Sequence, residues 1–292
     1  MELQATVIIP TFEDWGGLQA CLDCLAGQSV DQALFEVIVA NNNPSADAPS
    51  SLRLAPNVRI LHVPKPGSYA ARNAAIEVAK AEVLFFTDSD CQPDRRWIEA
   101  GLEAISHLGP HGRVAGAIEV FPAADHWTAP ELYDRIFHHQ QEEYAGKGWG
   151  ATANLIVRRA AFDLAGLFND ERFSLGDREW NTKATGLGSE LRYSAEALIR
   201  HPARDSYAEL AKRCRRLAGG LHEDMIRGRR PKVPLRVYMI PLDPWEVRQI
   251  MSYPGLTDRQ RMQVIWLCLR LGMVSFAETV RLRYLSGSPR RS

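Results

Sequence analysis

The sequence is poor in cysteine. It has five, Cys21, Cys24, Cys91, Cys214 and Cys268, in 292 residues. An odd, scattered set in a long chain argues against a disulfide-stapled scaffold and fits a reducing compartment. Neither sign of charge is in excess: 35 Lys and Arg face 35 Asp and Glu. No nucleic-acid partner is therefore expected from bulk electrostatics. Long apolar runs are missing as well. The longest, Val264 to Phe276, is interrupted by Arg270 and reads as too short for a membrane span, which needs about 20 residues. Met-Glu-Leu-Gln runs straight into a strand-like segment with no charged, apolar leader, so a cytoplasmic chain is expected. There is no internal repeat, no low-complexity tract, no lysine-bearing phosphate loop, no serine nucleophile elbow and no H-E-x-x-H zinc motif.

What is present is ordinary globular composition, 46% hydrophobic and 24% charged, which excludes disorder and collagen-like repeats. The length suits two domains or one large one. The first hundred residues alternate between two patterns. Strand-like runs span Ala5 to Pro10, Glu36 to Ala40, Val58 to Val63 and Glu82 to Thr87. Helical periodicity runs from Leu18 to Leu25, and Ser68 is expected to cap a helix reaching about Lys80. Cys21 and Cys24 form a C-x-x-C on the apolar stripe of Leu18, Leu22 and Leu25, which reads as core packing. Strands apolar on both faces and alternating with helices predict an α/β fold with a mainly parallel sheet covered on two sides.

Later segments are less regular. Arg113 to Phe121 and Ala153 to Val157 read as strands, Leu132 to Tyr144 and Ala160 to Ala165 as helices, and Gly176 to Ala184 as a loop entering a helix. His138 and His139 fall on a predicted helix and receive no role. Between Arg200 and Arg236 there are eleven Lys or Arg against four acids, then prolines at 231, 234, 241, 244 and 254. Arg259 to Leu285 reads as one or two amphipathic helices. With Trp245, Trp266 and interspersed arginines, this segment suits either a membrane surface or packing on the core or on a second copy of the chain.

In an open parallel sheet, ligands bind beyond the carboxyl ends of the strands. Three polar groups fall there: Thr11-Phe12-Glu13, Asn41-Asn42-Asn43 and Asp88-Ser89-Asp90. In an extended segment, residues i and i+2 project to one side. Asp88 and Asp90 are then expected to present paired carboxylates, with Ser89 turned away. Such a pair suits Mg²⁺ or Mn²⁺, which would bridge it to a diphosphate.

The ordered motifs IIPTFED, VIVANNNP, GSYAARNAAI, VLFFTDSDCQPD and GDREW resemble the family 2 glycosyltransferases of GT-A fold. The resemblance covers roughly residues 5 to 205. It implies a Rossmann-like GT-A domain, with 1–95 binding the nucleotide sugar, 96–205 the acceptor and catalytic half, and 206–292 a basic helical extension. The implied activity is metal-dependent, inverting transfer of a sugar from a nucleoside diphosphate sugar, a UDP-sugar foremost, to a hydroxyl of a glycan or lipid-linked acceptor. The implied location is cytoplasmic, at the membrane's inner face where the acceptor is lipid-linked. Pro10, Thr11, Phe12, Glu13 and Asn41 would hold the nucleoside; the family's usual acid at the last position is an amide here. Arg72, Asp88 and Ser89 would lie at the nucleotide. Asp88 and Asp90 would hold the ion with His201. Asp177 matches the catalytic base, with Glu179 as rival; Gly176 stands where the pattern has Glu. Trp180 and Asn154 fall to the acceptor side, Trp180 equally to core packing. A non-catalytic nucleotide-sugar-binding relative and a sugar nucleotidyltransferase are the alternatives.

Overall fold

The computed structural model describes residues 2–43, 45–172, 174–228, 242–285 and 288. Pro44, the prolines at 231, 234 and 241 and the basic residues 229, 230, 232 and 236 lie outside the described residues. The chain divides into two units. One comprises Met1–Glu119, Gln140–Arg172 and Gly176–His201; the other comprises Val120–His139, Phe173–Leu175 and Pro202–Ser292.

The first unit holds the sheet. Strands β1 (Ala5–Thr11), β2 (Phe35–Asn41), β3 (Val58–His62), β4 (Val83–Thr87), β5 (Gln92–Pro93), β6 (Arg113–Phe121), β7 (Asn154–Arg158) and β8 (Leu191–Pro202) run in the order β3-β2-β1-β4-β7-β6-β8-β5. The four strands from β3 to β4 are parallel, and β7 then joins β4 and β6 antiparallel. The alternation of side chains sorts the core into two layers. Val7, Ile9, Val37, Val39 and Phe85 pack on one face with Leu18, Cys21 and Leu25 of α1 (Trp15–Ala26) and Ile98 of α3 (Trp97–Ser106). Ile8, Ile38, Leu84 and Phe86 pack on the other with α2 (Ser68–Val78), α6 (Ala160–Ala165) and α7 (Gly176–Gly186). Cys21 is buried among these apolar side chains, and all five cysteines are free.

Three boundaries differ from expectation. The segment from Leu132 to Tyr144 is two helices, α4 (Ala129–Phe137) and α5 (Gln141–Gly146). His139, with φ 61°, turns the chain between them, a left-handed conformation that a helix cannot continue. Residue 176 opens α7 directly instead of belonging to a loop before it. Ser68 is the first helical residue of α2 and not its cap; Gly67 caps it without a side chain at φ 126°, a backbone region nearly closed to other residues.

The second unit is helical and is not confined to residues beyond 205. Leu132, Tyr133 and Ile136 of α4 join Leu210 and Ala211 of α8 (Tyr207–Ile226), Ile250 of α9 (Pro244–Ser252) and Val264, Leu267, Cys268 and Leu271 of α10 (Asp258–Tyr284) in one core. Arg270 does not end the apolar stretch. It stays within the 27-residue α10, with its guanidinium 4.0 Å from the centre of the Tyr207 ring. That helix is long and apolar enough to cross a membrane by length and composition, against the expectation of too short a run. A third of its most apolar window is buried in the protein.

Candidate active site

The parallel register brings the strand ends together. Thr11 pairs with Asn41 across β1 and β2, and β4 lies on the other side of β1. Pro10 is half-buried, Thr11 is buried with no partner for its Oγ1 among the described residues, and Phe12 is exposed just beyond. Glu13 takes φ 60° and accepts a hydrogen bond from Asn43 Nδ2 at 3.0 Å. The asparagine triplet builds the loop. Asn41 Nδ2 donates to the Ala46 carbonyl at 2.9 Å, and its Oδ1 accepts from Asn43 N at 3.1 Å. Asn42 Oδ1 accepts from Gly67 N at 2.6 Å, and its Nδ2 donates to the carbonyls of Val63 and Lys65. Both ends of the Asn41 amide thus brace the turn.

The first turn of α2 reaches two carboxylates. Arg72 Nη2 donates to Asp88 Oδ1 at 2.5 Å; the guanidinium is buried, with no partner for Nε among the described residues. Tyr69, three residues earlier and so on the same helical face, donates its hydroxyl to Asp177 Oδ1 at 3.2 Å and accepts from Gly176 N at 2.9 Å. The Arg72 guanidinium lies 5.8 Å from the Tyr69 ring centre. Two acids far apart in sequence thus converge on one helical turn.

Asp88 and Asp90 have different partners. The chain leaves the strand at Thr87, and Cys91 N bonds back to the Asp88 carbonyl at 3.2 Å. A turn removes the two-residue alternation that the expectation relied on. Asp88 goes to Arg72, while Asp90 Oδ1 lies 3.6 Å from His201 Nε2. Ser89 Oγ donates to Asp14 Oδ2 at 2.8 Å, and Asp14 also accepts from Gly17 N at the start of α1. Antiparallel pairing of Gln92 with Arg200 brings His201 alongside Asp90. Ligand atoms of Asp90, Cys91 and His201 all lie within 4.8 Å of one another. A carboxylate with an imidazole suits Mn²⁺ or Mg²⁺. Burial, then the nearby Asp90 and Asp88, push the Cys91 thiol well above its ordinary range, so it stays protonated. The donor set fits a hard ion held by Asp90 and His201.

The last group opens α7. Leu175, just before it, has φ 63°, the kind of backbone strain that gathers at functional sites. Asp177 is half-buried and also accepts from Arg178 N on Oδ1 at 2.8 Å. Glu179 pairs with the buried Arg172 at 3.1 Å. Trp180 is core: it stacks on Phe162 at 4.4 Å and donates Nε1 to the Gly166 carbonyl at 2.6 Å. Asn154 is fully buried, accepting from Trp97 Nε1 and donating to the carbonyls of Ala117 and Ala197. The acceptor-side assignments of Trp180 and Asn154 are therefore corrected; every polar atom on either side chain is engaged inside the fold. Sequence reasoning gave no role to Tyr69 or Asp14. The signal for Tyr69 was its spacing, three residues before Arg72 in GSYAARN.

Comparison with known proteins agrees with this geometry. The family profile described as Glycosyl transferase family 2 matches residues 6–165. Glycosyltransferase AglE of Haloferax volcanii is 33% identical over 221 residues, 74% of this chain and 72% of that protein. The pre-mycofactocin glycosyltransferase of Mycobacterium tuberculosis is 24% identical over 211 residues, 68% of this chain but 43% of its own length. Among solved structures, the Pyrobaculum calidifontis mannosyltransferase PcManGT, in complex with GDP-Man and Mn²⁺, superposes with a TM-score of 0.65 at 16% identity, covering 97% of this chain and 88% of that one. Residues 1–349 of S. aureus TarS, in complex with UDP, give a TM-score of 0.51 at 15% identity, covering 99% and 93%.

Proposed function

This chain belongs to glycosyl transferase family 2 and is a glycosyltransferase, and from that premise we propose that it transfers a sugar from a UDP-sugar, with inversion and with a divalent ion, to a hydroxyl of a glycan or lipid-linked acceptor. The observation that supports this reading is the single turn of α2 that contacts Asp88 through Arg72 and Asp177 through Tyr69. One charged pair and one lone carboxylate on a shared turn suit a leaving diphosphate and an attacking hydroxyl.

The steps follow from the residues. Arg72 and the first-turn N–H groups of α2, which no side chain caps, favour phosphate oxygens. Thr11, Phe12 and Glu13 flank the nucleoside. Asp177 takes the proton of the acceptor hydroxyl as its oxygen bonds to the anomeric carbon. The bond from that carbon to the phosphate oxygen breaks, and the diphosphate leaves with the electron pair. One displacement from the opposite face inverts the anomeric centre. Asp90 and His201 would hold a divalent ion, which would neutralise charge on the departing diphosphate. Glu179, already paired with Arg172, is the weaker candidate for the base.

The acceptor's lipid character draws support from α10. Met262, Trp266 and Met273 are exposed along one stripe, beside Arg259 and Arg270. Apolar and aromatic side chains flanked by arginine suit an anionic lipid surface. Sedimentation with anionic vesicles, set against gel-filtration mass, separates this from a homo-oligomer contact.

Calorimetry tests the nucleotide and ion reading together. UDP is expected to bind more tightly with Mn²⁺ than without, and Asp90→Ala is expected to abolish that difference. GDP binding in preference to UDP overturns the donor assignment. Ion-independent UDP binding in the wild type overturns the ion.

A further inference from the structure

Gly176 stands where the family resemblance expects an acid, and the structure shows what fills the space. A Cβ added there falls 2.6 Å from Tyr69 Cε2 and 2.7 Å from Cζ, closer than carbon atoms can approach without a shift. The ring has no easy way to yield. Tyr69 is buried, and its ring centre lies 5.8 Å from that of Phe168. A side chain at 176 and this tyrosine therefore exclude one another. The glycine also presents its N–H to the phenol oxygen. With that lone pair occupied, the single phenol proton goes to the Asp177 carboxylate.

Two donors, the Tyr69 hydroxyl and Arg178 N, both fall on Oδ1 of Asp177. We propose that Tyr69 is a positioning residue for the base: it pins Oδ1, leaving Oδ2 to receive the acceptor's proton, and it ties the base to the turn that carries Arg72. The proposal deepens the reading of Asp177 as base and rests on it. Burial, more than the neighbouring carboxylate, pushes the Tyr69 hydroxyl well above its ordinary range, so it remains a donor throughout the working pH. A donor on a carboxylate favours the charged form and lowers its pKa.

The test is Tyr69→Phe, which keeps the ring and its packing and removes the hydroxyl. Its kcat is expected to fall about tenfold, because a carboxylate no longer held in line with the acceptor hydroxyl loses its orientation. The donor's KM is expected to hold. The acid limb of the kcat–pH profile is expected to move to higher pH. Asp177→Asn is measured alongside. If that variant is inactive while Tyr69→Phe keeps the wild-type acid limb, the role of Tyr69 is overturned and the base survives. If Asp177→Asn turns over at the wild-type rate, the base reading falls and the proposal with it. Should the phenylalanine variant not fold, 2,3-difluorotyrosine at position 69 gives the opposite sign. A more acidic phenol donates more strongly and is expected to lower the acid limb; an unmoved limb rejects the proposal.

Discussion

The protein holds two acid clusters, and they are completed in opposite ways. In the helical unit, Asp134 is fully buried and closed on all sides. His138 Nδ1 lies at 2.5 Å from Oδ1, Arg204 Nη1 at 2.9 Å, and Arg204 N donates to Oδ2 at 3.1 Å. His138 is held in turn, its Nε2 accepting from Arg213 Nη1 at 2.6 Å. At the strand ends of the sheet unit, Asp88 and Asp90 keep 37% and 41% of their side chains exposed, and Asp177 is half-buried. The chemical groups are alike. A buried charge must be paired or its desolvation is uncompensated, so the closed cluster serves as a structural clamp. Half-exposed acids keep a side turned to solvent, where a ligand can reach them.

Removing each acid sharpens that contrast. Asp177→Asn is expected to have the largest effect, a fall in kcat of about 10²–10⁴, the scale of a positioned base, with UDP affinity retained and no change in unfolding midpoint. A midpoint shift as large as that of an Asp134 variant would dissolve the distinction. Asp134→Ala is expected to cost about 3–5 kcal/mol in urea unfolding, because it leaves the buried His138 and the Arg204 guanidinium without their acceptor.

The closed cluster also sets a pH dependence. Burial, then the Arg213 charge, push His138 down to about 3, as its acceptor role toward Arg213 requires. Burial alone would raise Asp134, but the His138 hydrogen bond and the Arg204 charge hold it below the ordinary carboxylate range. Both folded values are depressed, so both groups bind fewer protons folded than unfolded. Their contribution is present in full above the unfolded histidine pKa of about 6.5. It is lost as pH falls through the interval down to about 3, His138 first. Urea midpoints measured from pH 7 to 4.5 are expected to decline; a flat or rising series rejects a neutral His138. The smallest effect is expected from Glu179→Gln. Its carboxylate is paired with Arg172, so turnover within about threefold of wild type is expected in a donor-saturated assay.

How much of this was legible beforehand varies by element. The apolar runs of β1, β2 and β4 and the stripe of α1 announce themselves through their periods, and the polar groups that follow the strands mark the binding edge. Trp180 and Asn154 were ambiguous because a tryptophan or an amide reads the same whether it faces a ligand or a core. Only Phe162 and Gly166 for the one, and Trp97 and Ala197 for the other, decide it. The partners of Asp88 and Asp90 were hidden for a different reason: the two-residue alternation holds only while the backbone stays extended, and here it turns.

The amino-acid order by itself determined the faces of strands and helices, the family's motif series and the edge at which polar groups gather, because each depends on neighbours a few residues away. The tertiary structure alone decided which carboxylate pairs with Arg72, which faces His201, and that Tyr69 rather than a residue at 176 steadies Asp177. Those choices are made across gaps of about 3 Å between segments far apart in the chain, and no local period encodes them.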